Sequence, residues 1–527
     1  MAHSHKLSAL ALTALILSGC SSNSEKTEAP AQEQLTDNVT SQQSKVTHTP
    51  DTTTKPQQVS DLWQLTRDNF QLDLTLDNER VQQQVKWYAR HPQYLQRVAN
   101  RASRYYHHIL HEIIERGLPA ELALLPVVES AYDPFAYSHG RAAGPWQFIP
   151  STGKYFGLQQ NWWFDERRDI LSSTNAALNY LEKLNKRFDG DWLLALAAYN
   201  AGGGTVSRAI KKNTKAGKPT DFWSLPLPAE TRKYVPKLLA ISKLVQDPAA
   251  YNLTLAPLKN EPYFDVVETG GQLDLAQAAE LAEISTKELY LLNPGFNRWA
   301  TAPEGPHRLL VPVASAEKFR AGIAELPADQ RMKWQRYTIQ SGDALSTIAR
   351  KYNTTVSQLK ATNKLKSNRI RVGKTLLIPT SSGAAGEYVL TQNQRHQRAQ
   401  QRIARNTDKQ KQTHTVKSGE SFWQIARSYD VGVRELARWN QMAPGDPLRI
   451  GHKLVVWTQP AAQLSPSQKQ AIRKIGYRVR SGDSLYTIAN KFRVSIGDIS
   501  RWNQLNSSKY LQPGQQLTLY VDIRNAP

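Results

Sequence analysis

The hydrophobic pattern divides the chain into four stretches of different character. Leu7 to Leu17 is an apolar run of 11 residues, too short to span a bilayer, which takes about 20. Residues 21–60 are rich in Ser, Thr, Gln, Lys and Glu and hold almost nothing to bury, which predicts a disordered tether. From Leu62 the pattern becomes apolar with helical spacing and stays so to about Tyr251. Pro92 suits the first turn of a helix over 92–116, Gly117 stops it, and Pro119 suits the start of the next. Asp191 is placed to cap the run Trp192 to Tyr199, which Gly202-Gly203-Gly204 ends. After residue 330, short alternating runs precede two helical patterns and a closing strand, and this β-α-α-β order recurs.

The recurrence is exact enough to align by eye. Tyr337-Thr-Ile-Gln-Ser-Gly-Asp343, His414-Thr-Val-Lys-Ser-Gly-Glu420 and Tyr477-Arg-Val-Arg-Ser-Gly-Asp483 are one motif in three copies. Asn363, Asn440 and Asn503 each follow their motif glycine by 21 residues, and each copy closes with Gly-x-x-Leu. Residues 263–312 read as a worn fourth copy without the Ser-Gly-Asp triplet, so the fold is expected there and sugar binding is not. These repeats resemble the LysM module. That resemblance implies a grip on N-acetylglucosamine-containing glycans, in a groove here formed by Gly342 to Leu345 with Asn363 to Ile370 and their counterparts.

With 527 residues the chain exceeds one hydrophobic core, and several domains are expected. Its formal charge of +22 requires an anionic partner, which charge alone does not identify. No nucleic-acid recognition motif is present, so nucleic acid is not expected as that partner. The single cysteine, Cys20, excludes a disulfide framework and a cysteine-rich metal site. It stands after Leu17-Ser18-Gly19, directly behind the apolar run, and this arrangement resembles a lipobox. The resemblance implies cleavage before Cys20, acylation of its sulfur and, with Ser21 following, anchorage in an outer membrane, facing the periplasm.

Leu118 to Val128 is apolar except for Glu121 and delivers Glu129-Ser130 at its end, with Pro126 placed to bend the backbone there. Burial and a helix C-terminus both disfavour ionisation, and a carboxyl protonated near neutral pH is equipped to donate a proton to a glycosidic oxygen. Taken alone, the segment fits a helix-end Glu paired with one of the nearby arginines better than it fits a catalytic acid. Three further motifs follow in order: Gly144-Pro-Trp-Gln147-Phe-Ile-Pro150, Ala198-Tyr199-Asn200-Ala-Gly202 and Glu230-Thr231-x-x-Tyr234-Val235. Together they resemble the lytic transglycosylases with a lysozyme-like helical fold, over residues 90–245, and the D-type membrane-bound branch in particular. The Pro145-Trp146 pair and Gly203 depart from the commoner family pattern.

The resemblance implies that Glu129 is the catalytic acid and base for the bond between N-acetylmuramic acid and N-acetylglucosamine. A 1,6-anhydro ring then forms without water. Ser130 and Gln147 would position Glu129 and the N-acetyl group, and Tyr199, Asn200 and Tyr234 would line the groove. Most glycosidases need a second carboxylate. Asp133, Asp165, Glu166 and Asp169 are the candidates, none in a comparably apolar setting. His107, His108 and His111 with Glu112 give zinc-like spacing but no His-Glu-x-x-His order or third ligand, so no metal and no cofactor is expected.

The expected protein is multidomain: a signal peptide (1–19), a tether (20–60), a mainly α lysozyme-like catalytic domain (61–255), a degenerate LysM-like segment (260–315) and α+β LysM modules at 335–380, 413–458 and 476–521. A basic segment at 381–412 reads as a flexible linker, with a solvated helix as the alternative. The expected partners are peptidoglycan glycan strands and the outer membrane, and the expected state is a monomer. A muramidase acting on the same bond and a non-catalytic wall-binding lipoprotein remain as competing functions.

Overall fold

The structure is a computed structural model. It describes residues 60–458 except 353, 385 and 407, and residues 472–522 except 481, 493, 495, 504 and 506–510. The expected signal peptide, Cys20 and tether lie outside the described residues, as does most of the spacer at 459–475. No helix among the described residues is long and apolar enough to cross a membrane.

The first half is helical: α1 (Leu62–Asp68), α2 (Glu79–Ala89), α3 (Pro92–Ala102), α4 (Tyr106–Glu115), a 3-10 turn (Ala120–Leu124), α5 (Leu125–Ser130), α6 (Pro150–Tyr155), α7 (Ile170–Arg187), α8 (Trp192–Ala201), α9 (Gly203–Lys215) and α10 (Thr231–Gln246). The ends of this unit meet: Leu62 N donates to Leu258 O, and Asp61 bridges Lys259. Inside, α10 buries Val235, Leu238, Leu239 and Ile241 and packs against α2 and α8. It thereby spans the unit beneath the Glu129 segment.

Local expectations are corrected in three places. The single helix over 92–116 is two, because the chain turns at Ser103–Tyr105 to bury Tyr105 and Tyr106. Pro126 does not bend the end of a helix. It occupies the first turn of α5, where a missing N–H costs nothing. Only Gly202 ends α8, with φ +84°, while Gly203 and Gly204 begin α9. The Asp191 cap forms as the sequence suggests, its carboxylate accepting from Leu194 N at 2.9 Å.

Among the described residues four small sheets follow, each a two-stranded antiparallel pair around two short helices. The degenerate copy consists of β1 (Phe264–Glu268), α11 (Leu275–Leu281), α12 (Thr286–Leu292) and β2 (Arg308–Pro312), extended by α13 (Val313–Glu325). The first full repeat is β3 (Lys333–Thr338), α14 (Leu345–Lys351), α15 (Val356–Thr362) and β4 (Thr375–Thr380). After α16 (Gln392–Asn406), the second is β5 (Gln410–Thr415), α17 (Phe422–Ser428), α18 (Val433–Trp439) and β6 (Lys453–Thr458). The third is β7 (Ile472–Arg478), α19 (Leu485–Phe492), α20 (Ile496–Trp502) and β8 (Gln516–Asp522).

One asparagine locks each module. Asn363 donates to Leu359 O and Leu377 O and accepts from Leu377 N, which ties the end of α15 to the closing strand. Asn440 does the same with Leu436 and Val455, and Asn503 with Ile499 and Thr518. Asn293 repeats it in the degenerate copy with Leu289 and Leu310. A second lock joins the two ends of the sequence motif, Tyr337 to Asp343, His414 to Glu420 and Tyr477 to Asp483.

The segment read as a flexible linker contains α16. Gln400 is buried against the second repeat, donating to Trp439 O and accepting from Trp457 Nε1 at 2.7 Å. The degenerate copy is fused to the helical unit. Trp163 and Phe164 leave the helical core and enter the module's core, and Gly295 leaves room for the Phe164 ring, which a Cβ would approach to 2.4 Å. Arg104 binds Glu288 through two hydrogen bonds, of 2.7 and 2.8 Å. Further on, Trp163 Nε1 donates to Gln358 Oε1 of the first full repeat at 2.7 Å.

Candidate active site

Glu129 lies in the last turn of α5, where the backbone then makes two left-handed residues, Ala131 (φ 52°) and Tyr132 (φ 55°). Neither is glycine, so the turn is held by its surroundings. Tyr132 is fully buried, and its hydroxyl donates to Ala123 O at 2.6 Å. This fixes the direction in which α5 presents Glu129.

The carboxyl is half-buried on the wall of a cavity of about 650 Å³. Burial pushes its pKa up to about 7. The Tyr234 hydroxyl, donating to Oε1 at 2.5 Å, pulls the other way, as does Lys237, while Glu230 adds to the rise. No arginine pairs with Glu129 among the described residues, so the ion-paired alternative is not what forms. A carboxyl balanced near neutrality is able both to give up and to take back a proton.

The other expected site residues divide by position. Gln147, Tyr199, Asn200 and Tyr234 line the cavity with Glu129. Gln147 adopts φ 50°, its amide nitrogen donates to Gly144 O at 2.8 Å, and its Oε1 has no hydrogen-bond partner among the described residues. The Tyr199 hydroxyl donates to Trp146 O, and Asn200 Oδ1 accepts from Thr231 Oγ1. Asn200 thus links the end of α8 to the start of α10, which carries Tyr234. Ser130 is the exception. Its hydroxyl donates to Pro126 O and Pro145 O and does not reach Glu129 or line the cavity. It fastens the Gly144–Phe148 loop to α5.

The candidate second carboxylates are not in the cavity. Asp165 and Asp169 are buried, but both are paired with arginines. Burial drives the Asp165 pKa upward, and Arg167 and Arg168 outweigh it, holding the carboxyl below its usual range. Asp169 caps α7 through Ser172 N and pairs with Arg308 at 2.7 Å. Glu166 accepts from Gln159 N, and Asp133 from Phe135 N. Glu230 is the only carboxylate besides Glu129 lining the cavity among the described residues, and it is exposed. His111 bonds to Asn260, and no group of ligating side chains among the described residues is arranged to hold a metal.

Sequence reasoning missed Arg167. Its guanidinium grips Asp165 at both ends and donates to Arg141 O at 2.6 Å and Phe148 O at 3.1 Å, which braces the cavity wall. A Cβ on Gly144 would lie 1.9 Å from Arg167 O, so only glycine permits this approach. Lys237 also lines the cavity, three residues after Tyr234, and helical spacing from the fourth motif would have found it.

Comparison with known proteins identifies both the helical unit and the modules. The transglycosylase SLT domain matches residues 112–222 and a LysM-like domain of lytic transglycosylase MltD matches 263–328. The LysM domain matches 337–379, 414–457 and 477–519. The fold and site therefore define a lytic transglycosylase with LysM modules. The chain is 38% identical over 404 residues to membrane-bound lytic murein transglycosylase D of Escherichia coli, covering 74% of this chain and 85% of that protein. It belongs to the membrane-bound lytic murein transglycosylase D family. It is also 30% identical over 188 residues to the autolysin of Enterococcus faecalis, covering 34% of this chain and 24% of that one. A solved inactive mutant of the Pseudomonas aeruginosa lytic transglycosylase Slt matches at 25% identity and a TM-score of 0.21, over 28% of this chain and 24% of that one.

Proposed function

We propose that this peptidoglycan lytic transglycosylase cleaves the β-1,4 bond between N-acetylmuramic acid and N-acetylglucosamine and releases a 1,6-anhydromuramoyl end. One observation carries the reading: a carboxyl with its pKa near 7 sits in a groove whose only other carboxylate, among the described residues, is exposed. Protonated Glu129 gives its proton to the glycosidic oxygen as the C1–O bond breaks. The C6 hydroxyl oxygen of the same muramoyl residue then bonds to C1, and its proton returns to Glu129. The carboxyl ends as it began, and no water enters the product. Tyr234 holds the carboxyl in place, and the unpaired Gln147 Oε1 is available to the substrate's N-acetyl N–H. Tyr199 and Asn200 shape the groove.

The LysM repeats would keep the enzyme on the glycan, and a lipid on Cys20 would hold it at the outer membrane. The test of the chemistry is product mass. Digested sacculi should yield ends one water lighter than hydrolytic ends, and hydrolytic ends alone would make the protein a muramidase.

A further inference from the structure

A second cavity, of about 720 Å³, lies behind the groove wall, and Ser138 and His139 line both. Five arginines (Arg167, Arg168, Arg298, Arg395 and Arg438) line it against three aspartates (Asp133, Asp165 and Asp446), and three of the guanidinium groups are each set over an aromatic face. Arg298 lies over Trp162 at 4.3 Å, Arg395 over Phe135 at 4.6 Å, and Arg168 over Tyr137 at 5.9 Å. Such stacking fixes the planes of the cations without neutralising them. Arg168 shares Asp165 with Arg167, but no carboxylate pairs with Arg298 or Arg395 among the described residues. Arg395 Nη1 donates to Leu390 O. Two buried donors of this wall, Arg168 Nε and Arg298 Nε, lack a hydrogen-bond partner among the described residues.

Burial holds Arg395 down to about 9, with the like charges of Arg168 and Arg298 adding to the effect, and burial holds Arg298 down to about 10. Grouped cations removed from water need a counter-ion to offset lost hydration. Planar forks of this kind match oxyanions.

We propose that the cavity between Arg168, Arg298 and Arg395 is an oxyanion-binding site that accepts a carboxylate or phosphate group. Two sources at a cell wall carry that chemistry: carboxylates of the peptides borne by the glycan, and free inorganic phosphate. The peptide source rests on the function proposed above, whereas the site itself does not. An occupant would stand against the segment that supplies Ser138 and His139 to the catalytic groove.

Calorimetric titration of the full chain at low salt tests the site without turnover. The probes are the soluble tetrapeptide L-Ala-γ-D-Glu-meso-diaminopimelyl-D-Ala, its amidated form and inorganic phosphate. Binding of the acid tetrapeptide but not the amidated form assigns the peptide source, and binding of phosphate alone assigns the free anion. In either case Arg298→Gln, which removes no hydrogen bond seen in the structure, should weaken binding at least tenfold. Arg395→Lys should weaken it less than Arg395→Gln. Cleavage of peptide-free glycan by Arg298→Gln should match the parent, which separates loss of the site from loss of the fold or of the lytic activity. Flat titrations with all probes, equal affinity in Arg298→Gln, or equal binding of the amidated peptide would overturn the proposal.

Discussion

The Tyr234 hydroxyl donates to Glu129 Oε1 across 2.5 Å, joining α10 to the end of α5. The bond favours the ionised carboxylate, whereas burial favours the neutral acid, and burial wins. Tyr234→Phe should therefore raise the Glu129 pKa above about 7. The acid form is the one that starts the reaction, so the fall in rate at high pH should move to still higher pH in the variant. The maximal rate should drop by about tenfold as the carboxyl loses its orientation. A pH–rate profile on soluble glycan gives both quantities, and an unmoved alkaline limb would detach Tyr234 from the titration.

Removing the carboxyl itself is a harsher test. Glu129→Gln should lower release of muramoyl products by at least about 10³-fold. Pull-down with sacculi should be unchanged, because the repeats remain. Clearance at the parental rate would rule Glu129 out as the acid.

The same group makes stability depend on pH. Its folded pKa, about 7, exceeds the ordinary 4.5, so the folded state holds the proton more tightly. The resulting contribution is full below about 4.5 and is lost as pH rises through 7. Glu129→Gln should then be more stable than the parent above pH 7, by about 2 kcal/mol after allowing for solvent in the open groove. Thermal melts at pH 5 and pH 8 should show the gap widening with pH.

Glu121 is a buried carboxylate with a structural task. It accepts from Gln71 N and from Leu72 N at 2.7 Å, anchoring the loop after α1 to the 3-10 turn that precedes α5. Glu121→Ala leaves two backbone N–H groups unpaired and should cost about 3 kcal/mol. The turnover of the remaining folded protein should change little, which distinguishes support of the fold from participation in the chemistry.

In the modules, Asn440→Ala removes two hydrogen bonds to Val455 of β6 and one to Leu436 of α18. It should destabilise the second repeat by about 2–3 kcal/mol, with the groove untouched. Limited proteolysis should open residues 410–458 first while lytic activity on soluble glycan persists.

Much of this was legible beforehand, for identifiable reasons. The apolar approach to Glu129 announces a dry carboxyl because burial can be read from neighbours in the chain. The β-α-α-β repeats announce themselves because each module closes over a short stretch of sequence. Arg167 was not legible, since the carbonyls it braces lie 19 and 26 residues away and nothing local marks the pairing. Spacing alone could not place Asp165 and Asp169; both are buried, Asp165 against its chain neighbours Arg167 and Arg168 and Asp169 against the distant Arg308. The helix over 392–406 was obscured by its own composition. It docks through Gln400 and Arg395 and carries no apolar stripe to signal a buried face.

That helix also imposes a rotational constraint. Arg395 stacks on Phe135 of the lytic unit, while Gln400, five positions later, is bound to Trp439 and Trp457 of the second repeat. Each added residue turns a helix by about 100° and lengthens it by about 1.5 Å. Inserting one alanine between these two anchors would therefore swing one of them off its seat. The two docking contacts thus fix the number of residues between them.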